Sequence, residues 1–294
     1  MEKGQLKTVA LLSLLSGLLV VIGYVLYGGT GALLGLGIAA VTNFGSWFYS
    51  DQIALKAYNA QPVTRAQMPE IYAMVERLAA KAEIPMPGVY VVPGEAANAF
   101  ATGRDPEHAA VAVTQGIVKA LSPDELEGVL AHELTHIINR DTLTQAVAAT
   151  IGGAIAFLAQ MLQYSMFFGG NRSREENGAN PIALIATIFL APIAATVIQM
   201  GISRTREYAA DAGAAQLTGN PRSLATALKR LEASAQRMPM HANPAFEPLL
   251  IINAIPQQMM RSLFSTHPST DDRVARLLEI EQSLSIKGTP SVGF

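Results

Sequence analysis

His132-Glu133-Leu134-Thr135-His136 is the stretch that decides how the rest of the chain is interpreted. On a helix, histidines four residues apart lie on one face, where both imidazoles can bind a single metal ion. Glu133 projects about 100° around the helix from His132, where its carboxylate can act on a water molecule as a general base without being a ligand. The pattern predicts a zinc hydrolase site, and the alternative is two buried histidines satisfied by hydrogen bonds.

The residues around this motif predict the helix that the motif requires. Ser122-Pro123-Asp124-Glu125 has a serine N-cap, a proline at the first helical position and a glutamate that completes a capping box. An apolar stripe at spacings of three and four follows, formed by Leu126, Leu130, Leu134 and Ile137. This stripe is expected to pack the helix against a core, so that the face with the two histidines stays free to bind a metal ion.

Composition limits the kind of site and the kind of protein. The 294 residues include no cysteine, so any zinc must be held by histidine and carboxylate, which favours a catalytic over a structural ion. A net charge of −2 gives no reason to expect nucleic acid as a partner. Half of the residues are hydrophobic and only 15% are charged, values that indicate a membrane protein.

Two pairs of uncharged segments predict four transmembrane helices. Thr8 to Ser50 contains no Lys, Arg, Asp or Glu, and Gly28-Gly29-Thr30-Gly31 divides it into two stretches of about twenty residues, each long enough to cross a bilayer. A cleaved signal peptide is the alternative for the first stretch. The second pair, Thr142 to Asn171 and Asn177 to Ser203, forms either two more spans or a buried or re-entrant hairpin that does not cross.

Positive charges predict the orientation of these segments. Lys3 and Lys7 precede the first span, Lys56 and Arg65 follow the second, and the loop between the spans has no positive residue. The N-terminus and the catalytic segment are therefore expected on the cytoplasmic side. Arg172-Ser173-Arg174 counts against this orientation if the second pair spans.

The charged segments between the hydrophobic pairs predict a compact α+β catalytic part. Residues 51–141 combine a helix from Gln67 to Glu83, short strands at Val89 to Val92 and Ala109 to Val113, and the metal helix. The expected division of the chain is a transmembrane hairpin (1–50), this catalytic part (51–141), a second hydrophobic hairpin (142–203), a helical part with the third ligand (204–285) and a disordered tail (286–294).

The third zinc ligand must come from outside the motif, because a catalytic zinc requires three protein ligands and a water. The best candidate is Glu207, which shares a helix face with Asp211 four residues later. In one interpretation Glu207 binds zinc and Asp211 orients a ligand histidine. In the other, both are surface acids beside Arg204 and Arg206. If Glu207 is a ligand, the chain between it and His136 must cross the membrane an even number of times.

Four motifs in this order resemble the HtpX heat-shock proteases, integral-membrane zinc endopeptidases of bacteria related to the CAAX prenyl proteases. They are His132 to Asp141, Glu207 to Asp211, Asn98 to Gly103, and His267-Pro268 followed by Arg273. The resemblance covers nearly the whole chain. It implies a mainly α membrane protein with four transmembrane helices and a small, gluzincin-like α+β metalloprotease domain.

The resemblance also implies roles for individual residues. His132, His136 and Glu207 bind one Zn²⁺ per chain and Glu133 activates water. The enzyme is a multi-pass protein of the bacterial inner membrane that degrades misfolded or damaged membrane proteins under stress, with its catalytic part facing the cytoplasm. Its partners are thus protein substrates and the lipid bilayer, and no oligomeric state is predicted.

Two further assignments complete the expected site. The segment Asn98, Ala99 and Phe100 lines the cleft, because an edge strand in proteases of this type binds the substrate backbone by strand addition; the alternative is an ordinary loop. His267 donates a hydrogen bond to the oxyanion, with Arg273 supporting it; the alternative is a loop histidine ahead of a proline.

Two other functions fit the same motif. One is intramembrane proteolysis, against which the acids at 124, 125 and 127 and the charged pair Arg140-Asp141 argue, because they place the metal helix at or above the interface. The other is a non-catalytic membrane scaffold with structural zinc, which would have a fourth protein ligand in place of water.

Overall fold

The computed structural model describes residues 3–152, 204–238, 240, 249–252 and 268–288. Most of the second hydrophobic pair, His267 and the predicted tail beyond residue 288 lie outside these ranges.

The N-terminal hydrophobic segment folds back on itself. Helix α1 (Lys3–Phe48) reverses direction at Gly28, whose φ of +61° is a conformation that glycine adopts without strain. Asn43, in the second half, donates hydrogen bonds to the Leu12 carbonyl over 3.1 Å and to Ser16 Oγ over 2.8 Å, in the first half. The two halves therefore lie antiparallel, as the predicted hairpin requires.

One helix among the described residues has the length and composition of a membrane span. It is Gly28–Phe48, and Thr8–Val21 is a shorter apolar helix beside it. Large apolar side chains on the span face outward, including Leu33 at 72% exposure and Val41 at 74%. An exposed apolar surface of this extent is typical of contact with lipid. The two later spans predicted between 142 and 203 lie mostly outside the described residues.

The sheet has four strands in the order β1-β2-β4-β3. Strand β2 (Gly88–Val92) pairs parallel with β4 (Ala109–Thr114), while β1 (Gln61–Pro62) pairs antiparallel with β2 and β3 (Ala99–Gly103) antiparallel with β4. The structure thus contains both strands predicted from the sequence, β2 and β4, and two more, β1 and β3. The interpretation of residues 99–103 as an ordinary loop is wrong, because they form the edge strand β3.

Helices cover both faces of this sheet, and those on one face provide the site. In chain order they are α2 (Ser50–Ala57), α3 (Pro69–Lys81), α4 (Gln115–Ala120), α5 (Pro123–Ile138), a helical stretch at 141–152, α6 (Arg204–Thr218), α7 (Pro221–Arg237) and α8 (Thr270–Gly288). Alternation along β4 sorts its side chains between two cores: Val111 and Val113 pack with α3, α5 and α7, while Ala110 and Ala112 pack on the opposite face with α2.

Helix α5 begins where the sequence predicts. Ser122 Oγ accepts a hydrogen bond from the Glu125 backbone N–H, and the Glu125 carboxylate accepts one from the Ser122 N–H over 2.9 Å, so the capping box is present. The predicted apolar stripe from Leu126 to Ile137 is buried in the main core. Helix α5 is thereby fixed through the centre of the domain, and its histidine face points to α6.

Candidate metal centre

Three potential metal ligands converge between α5 and α6. The Nε2 atoms of His132 and His136 lie 3.2 Å apart. Glu207, in the first turn of α6, places one carboxylate oxygen 3.5 Å from Nε2 of His136 and the other 3.7 Å from Nε2 of His132. All three side chains are buried, and their ligand atoms form a group that could hold a metal ion. The interpretation of Glu207 and Asp211 as surface acids is therefore wrong.

The size and chemistry of this triangle fit zinc. Ligands bound tetrahedrally at 2.0–2.1 Å from zinc are separated from one another by about 3.3 Å, close to the three distances observed. Two imidazoles and one carboxylate are also a donor set of catalytic zinc sites, in which a water occupies the fourth position. Among the described residues, no fourth His, Cys, Asp or Glu joins the group.

His132 is held at its Nδ1 atom by the carboxylate of Asp211, which the guanidinium of Arg273 binds in turn. Asp211 Oδ1 lies 3.0 Å from Nδ1 of His132, and Arg273 donates two hydrogen bonds to Asp211. Burial and the neighbouring positive charge of Arg273 lower the pKa of His132 to about 4. His132 is therefore neutral at pH 7, which is the form that binds metal.

A second carboxylate holds His136 in the same way. Asp141 Oδ2 lies 3.2 Å from Nδ1 of His136, and Arg206 Nε lies 3.5 Å from the other oxygen of Asp141. Burial disfavours the charged imidazole, but Asp141 and Glu207 outweigh it and raise the pKa of His136 to about 10. With each Nδ1 held by a carboxylate, both histidines direct Nε2 toward Glu207.

No pattern in the sequence predicts this role of Asp141. Residues five apart on a continuous helix do not face each other, so the spacing gives no signal. The contact exists because α5 ends at Ile138 and Arg140 takes a left-handed conformation with φ of +56°. The turn at Arg140 brings the next residue back beside His136. Arginine is not a residue type that favours positive φ, so the sequence gives no signal for this turn.

Glu133 lies beside the metal ligands with its side chain buried. The backbone N–H of Ala101, on edge strand β3, donates a hydrogen bond to its carboxylate. Burial is the main cause that raises the pKa of Glu133 to about 7, while the neighbouring His136 opposes the shift. The group can therefore accept and return a proton near neutral pH, as a general base must.

Of the predicted cleft segment, Ala99 and Phe100 lie in β3 and Asn98 directly precedes it, but the side chains are turned inward. Asn98 donates from Nδ2 to the Ile252 carbonyl over 3.1 Å, and Phe100 packs against Tyr58 in the core on the far face of the sheet. Ala99 is buried as well, and its carbonyl accepts a hydrogen bond from Ile251 N–H over 3.1 Å. Any peptide bound at this strand must therefore be held by its backbone.

Arg273 is the centre of a buried network. Besides binding Asp211, it donates from Nη1 to the Ile251 carbonyl over 3.1 Å. Its predicted partner His267 lies outside the described residues. Arg273 instead contacts Asp211, which in turn contacts His132 of the group that could hold a metal ion.

This geometry agrees with what the chain resembles among known proteins. The sequence profile of peptidase family M48 matches residues 65–281. The protein described as "Protease HtpX homolog" from Trichormus variabilis is 64% identical over 282 residues, which cover 95% of this chain and 98% of that one. The protein of the same description from Acaryochloris marina is 59% identical over 291 residues, covering 99% and 98%. The chain belongs to peptidase family M48.

Within the M48 family, the prediction of HtpX-type membership is confirmed, and with it that of a membrane-bound metalloprotease, a hydrolase acting on peptide bonds. A solved structure, that of S. mikatae Ste24p, has the same fold with a TM-score of 0.50 at 19% identity. The match covers 93% of this chain and 65% of the Ste24p chain, so this chain spans about two thirds of the length of Ste24p.

Proposed function

We propose that this M48 protein is a zinc-dependent endopeptidase in which His132, His136 and Glu207 bind the ion and Glu133 is the general base. The observation that carries the proposal is the buried triangle of two Nε2 atoms and one carboxylate with Glu133 beside it. Three protein ligands leave a fourth position for solvent, which a catalytic site needs and a structural one does not.

Zinc, when bound, supplies a Lewis acid that polarises the scissile carbonyl and lowers the pKa of a coordinated water. Glu133 accepts the proton of the attacking water, whose oxygen forms the new bond to the carbonyl carbon. As the C–N bond breaks, Glu133 returns that proton to the leaving nitrogen. The Ala101 N–H keeps the Glu133 carboxylate in place through both transfers.

The carboxylates behind the histidines have a positioning role in this proposal. Asp211 and Asp141 accept the Nδ1 protons of His132 and His136, which fixes the tautomer in which Nε2 has a lone pair for the metal. Arg273 holds Asp211 with two hydrogen bonds, so the orientation of His132 is fixed through two side chains. His267 is the proposed donor to the oxyanion, on the evidence of its sequence context alone.

The substrate backbone is proposed to bind along the outer edge of β3. Ala99, Ala101 and Gly103 direct their peptide groups to this edge, as their hydrogen bonds to Ile251, Glu133 and Thr142 show. Among the described residues, no further strand pairs with it. An extended peptide added there by backbone hydrogen bonds passes directly in front of Glu133.

We further propose four transmembrane helices and a catalytic part facing the cytoplasm of the bacterial inner membrane, with misfolded or damaged membrane proteins as substrates. The antiparallel hairpin of α1, its exposed apolar surface and the lysines that flank it support this topology. The need for Glu207 to return to the side of His136 supports an even number of spans between them.

The test compares three detergent-solubilised proteins: wild type, Glu133→Gln and Glu127→Gln. Glu127 is on the same helix and pairs with Arg77 at the surface, so it serves as the matched control. We expect wild type and the control to contain one zinc and cleave casein, whereas Glu133→Gln retains zinc and loses cleavage. Undiminished turnover by Glu133→Gln would show that another group is the base, and a zinc-free active wild type would refute the proposal.

A further inference from the structure

The edge strand that borders the site is joined directly to the end of the membrane span. Arg104, the residue after β3, donates from Nη1 to the carbonyl of Phe48, the last residue of α1, over 3.1 Å. Its guanidinium also lies over the Phe48 ring, 4.5 Å from the centroid. The two interactions fix the C-terminal end of β3 at the level of the end of the span.

The helical stretch 141–152 provides a second connection. Thr142 donates its hydroxyl to the carbonyl of Gly103, the last residue of β3, over 2.8 Å. Two residues further, Thr144 forms a hydrogen bond of 3.0 Å with Thr8 of the hairpin. Leu11 and Leu15 then pack against Val147, Ala148 and Ile151. The metal domain and the hairpin are thus one packed unit at this end.

Aromatic residues place the membrane surface at this same level. Phe44, Trp47, Phe48 and Tyr49 form a chain of ring contacts with centroids 5.0 to 6.3 Å apart, and Trp47 and Tyr49 are exposed. Trp and Tyr concentrate at the boundary between bilayer and water. From Gly28 to Phe48 the helix measures about 31 Å, the thickness of a bilayer's hydrocarbon core.

The distance from this boundary to the chemistry is short. Ala101, whose N–H holds Glu133, precedes Gly103 by two residues, which is about 7 Å along a strand. The opposite end of the edge is already covered, because Ile251 pairs with Ala99 and Asn98 binds Ile252. At the membrane end the Gly103 carbonyl is bound by Thr142, so a peptide at β3 is confined to the short stretch around Ala101, beside Glu133 and two residues from the membrane end of the strand.

We propose that the enzyme cleaves juxtamembrane segments of integral membrane proteins at a set distance, about two to five residues from the end of a transmembrane span. This inference rests on the proposed endopeptidase function and on peptide binding at β3. The bilayer and the contacts of Arg104 and Thr142 together fix the distance between the end of a substrate span and Glu133, and we call this arrangement the ruler. A substrate span lies in the membrane beside the hairpin, and its first extended residues reach Glu133.

The experiment uses the zinc-loaded full-length enzyme in liposomes with single-span substrates. Each substrate has one transmembrane span and an unstructured tail of repeated sequence before or after it. The tail contains one marker sequence, and insertions of increasing length between the span and the marker move the marker away from the span. We expect the cut bond, located by mass spectrometry, to stay at the same distance from the span in every substrate. A cut that moves with the marked sequence, or cuts spread evenly along the tail, would overturn the proposal.

A variant separates the ruler from the chemistry. The double change Arg104→Ala and Thr144→Val removes hydrogen bonds by which the residue after β3 and the 141–152 stretch hold the hairpin, but it alters neither a proposed catalytic group nor the β3 edge, and Arg77→Ala is the surface control. We expect the double variant to cleave casein at a normal rate while its cuts in membrane substrates spread over more bonds. A distribution as narrow as that of wild type would overturn the ruler, whereas failure of wild type to cleave even casein would overturn the endopeptidase function itself.

Discussion

Arg273 donates two hydrogen bonds to Asp211, from Nε to one carboxylate oxygen over 2.9 Å and from Nη2 to the other over 2.7 Å. The pair is buried and parallel, the strong bidentate form of such an interaction. Because Asp211 also contacts Nδ1 of His132, the pair connects α8 to a proposed metal ligand on α5. A residue of the C-terminal helix therefore fixes the geometry of a site whose motif lies far upstream.

Asp211→Asn is expected to weaken zinc binding by roughly 10- to 100-fold, because an amide neither accepts the His132 proton as strongly nor balances Arg273. A titration of bound zinc against a chelator of known affinity measures the change. Asp272→Asn, at an exposed position on α8, is the control and should match wild type. Equal zinc affinity in Asp211→Asn would show that Asp211 does not position the ligand.

His136→Ala is expected to lose the metal itself, since it leaves only one imidazole and one carboxylate at the site. Metal analysis after gel filtration measures the zinc content. His108→Ala is the matched control, because His108 is exposed and bonds only Asp105 on its own turn. Stoichiometric zinc in His136→Ala would remove this residue from the ligand set.

Zinc binding is expected to release protons at pH 7. In the metal-free protein Asp141 and Glu207 hold the pKa of His136 at about 10, so the imidazole is charged at pH 7 and must lose its proton before it binds zinc. Zinc affinity is therefore expected to rise with pH below that pKa, by up to about tenfold per pH unit for the release of one proton. Calorimetric titration in two buffers of different protonation enthalpy counts the protons.

The same titration on Asp141→Asn supplies the comparison. Removal of the Asp141 carboxylate lowers the pKa of His136, so fewer protons should leave when zinc binds to the variant. Identical proton release from both proteins would contradict the assigned cause of the shift.

Gly213→Ala is expected to misplace the helix that carries Glu207. A methyl group there would collide with the Cγ2 atom of Thr135 and lie 2.9 Å from its Oγ1, so α5 and α6 must move apart. The expected cost is about 1 to 3 kcal/mol of unfolding free energy with reduced zinc affinity. Thermal unfolding and zinc titration measure both.

Two further variants test that explanation. Adding Thr135→Ala to Gly213→Ala removes the colliding atoms and should restore most of the loss. Gly37→Ala, where the structure has open space, should be neutral. Failure of the second change to restore zinc affinity would mean that Gly213 matters for another reason.

Local sequence signals predicted helix α5 and the three side chains that the structure brings together as a possible metal site. The capping box at Ser122, the four-residue spacing of the histidines and the Glu207 to Asp211 spacing are all relations within one helix, where geometry follows directly from residue number. The structure adds what spacing could not decide, namely that Glu207 and Asp211 are buried against α5 rather than exposed.

Relations between distant segments could not be predicted in this way. Strand β3 has the sequence Ala-Phe-Ala-Thr-Gly, whose small residues have little strand preference, and it is a strand because β4 pairs with it. The contact of Asp141 with His136 depends on one left-handed residue, and that of Arg273 with Asp211 joins residues 62 apart in the chain.

The position of Glu207 has a consequence for biosynthesis. A ribosome that has completed α5 has made both imidazoles but not Glu207, the proposed third ligand, which follows only after the whole second hydrophobic pair. The arginine that steadies His132 comes later still, near the C-terminus. With the proposed ligand set, the nascent polypeptide therefore has no complete metal site until nearly all of the chain up to α8 has been made and packed.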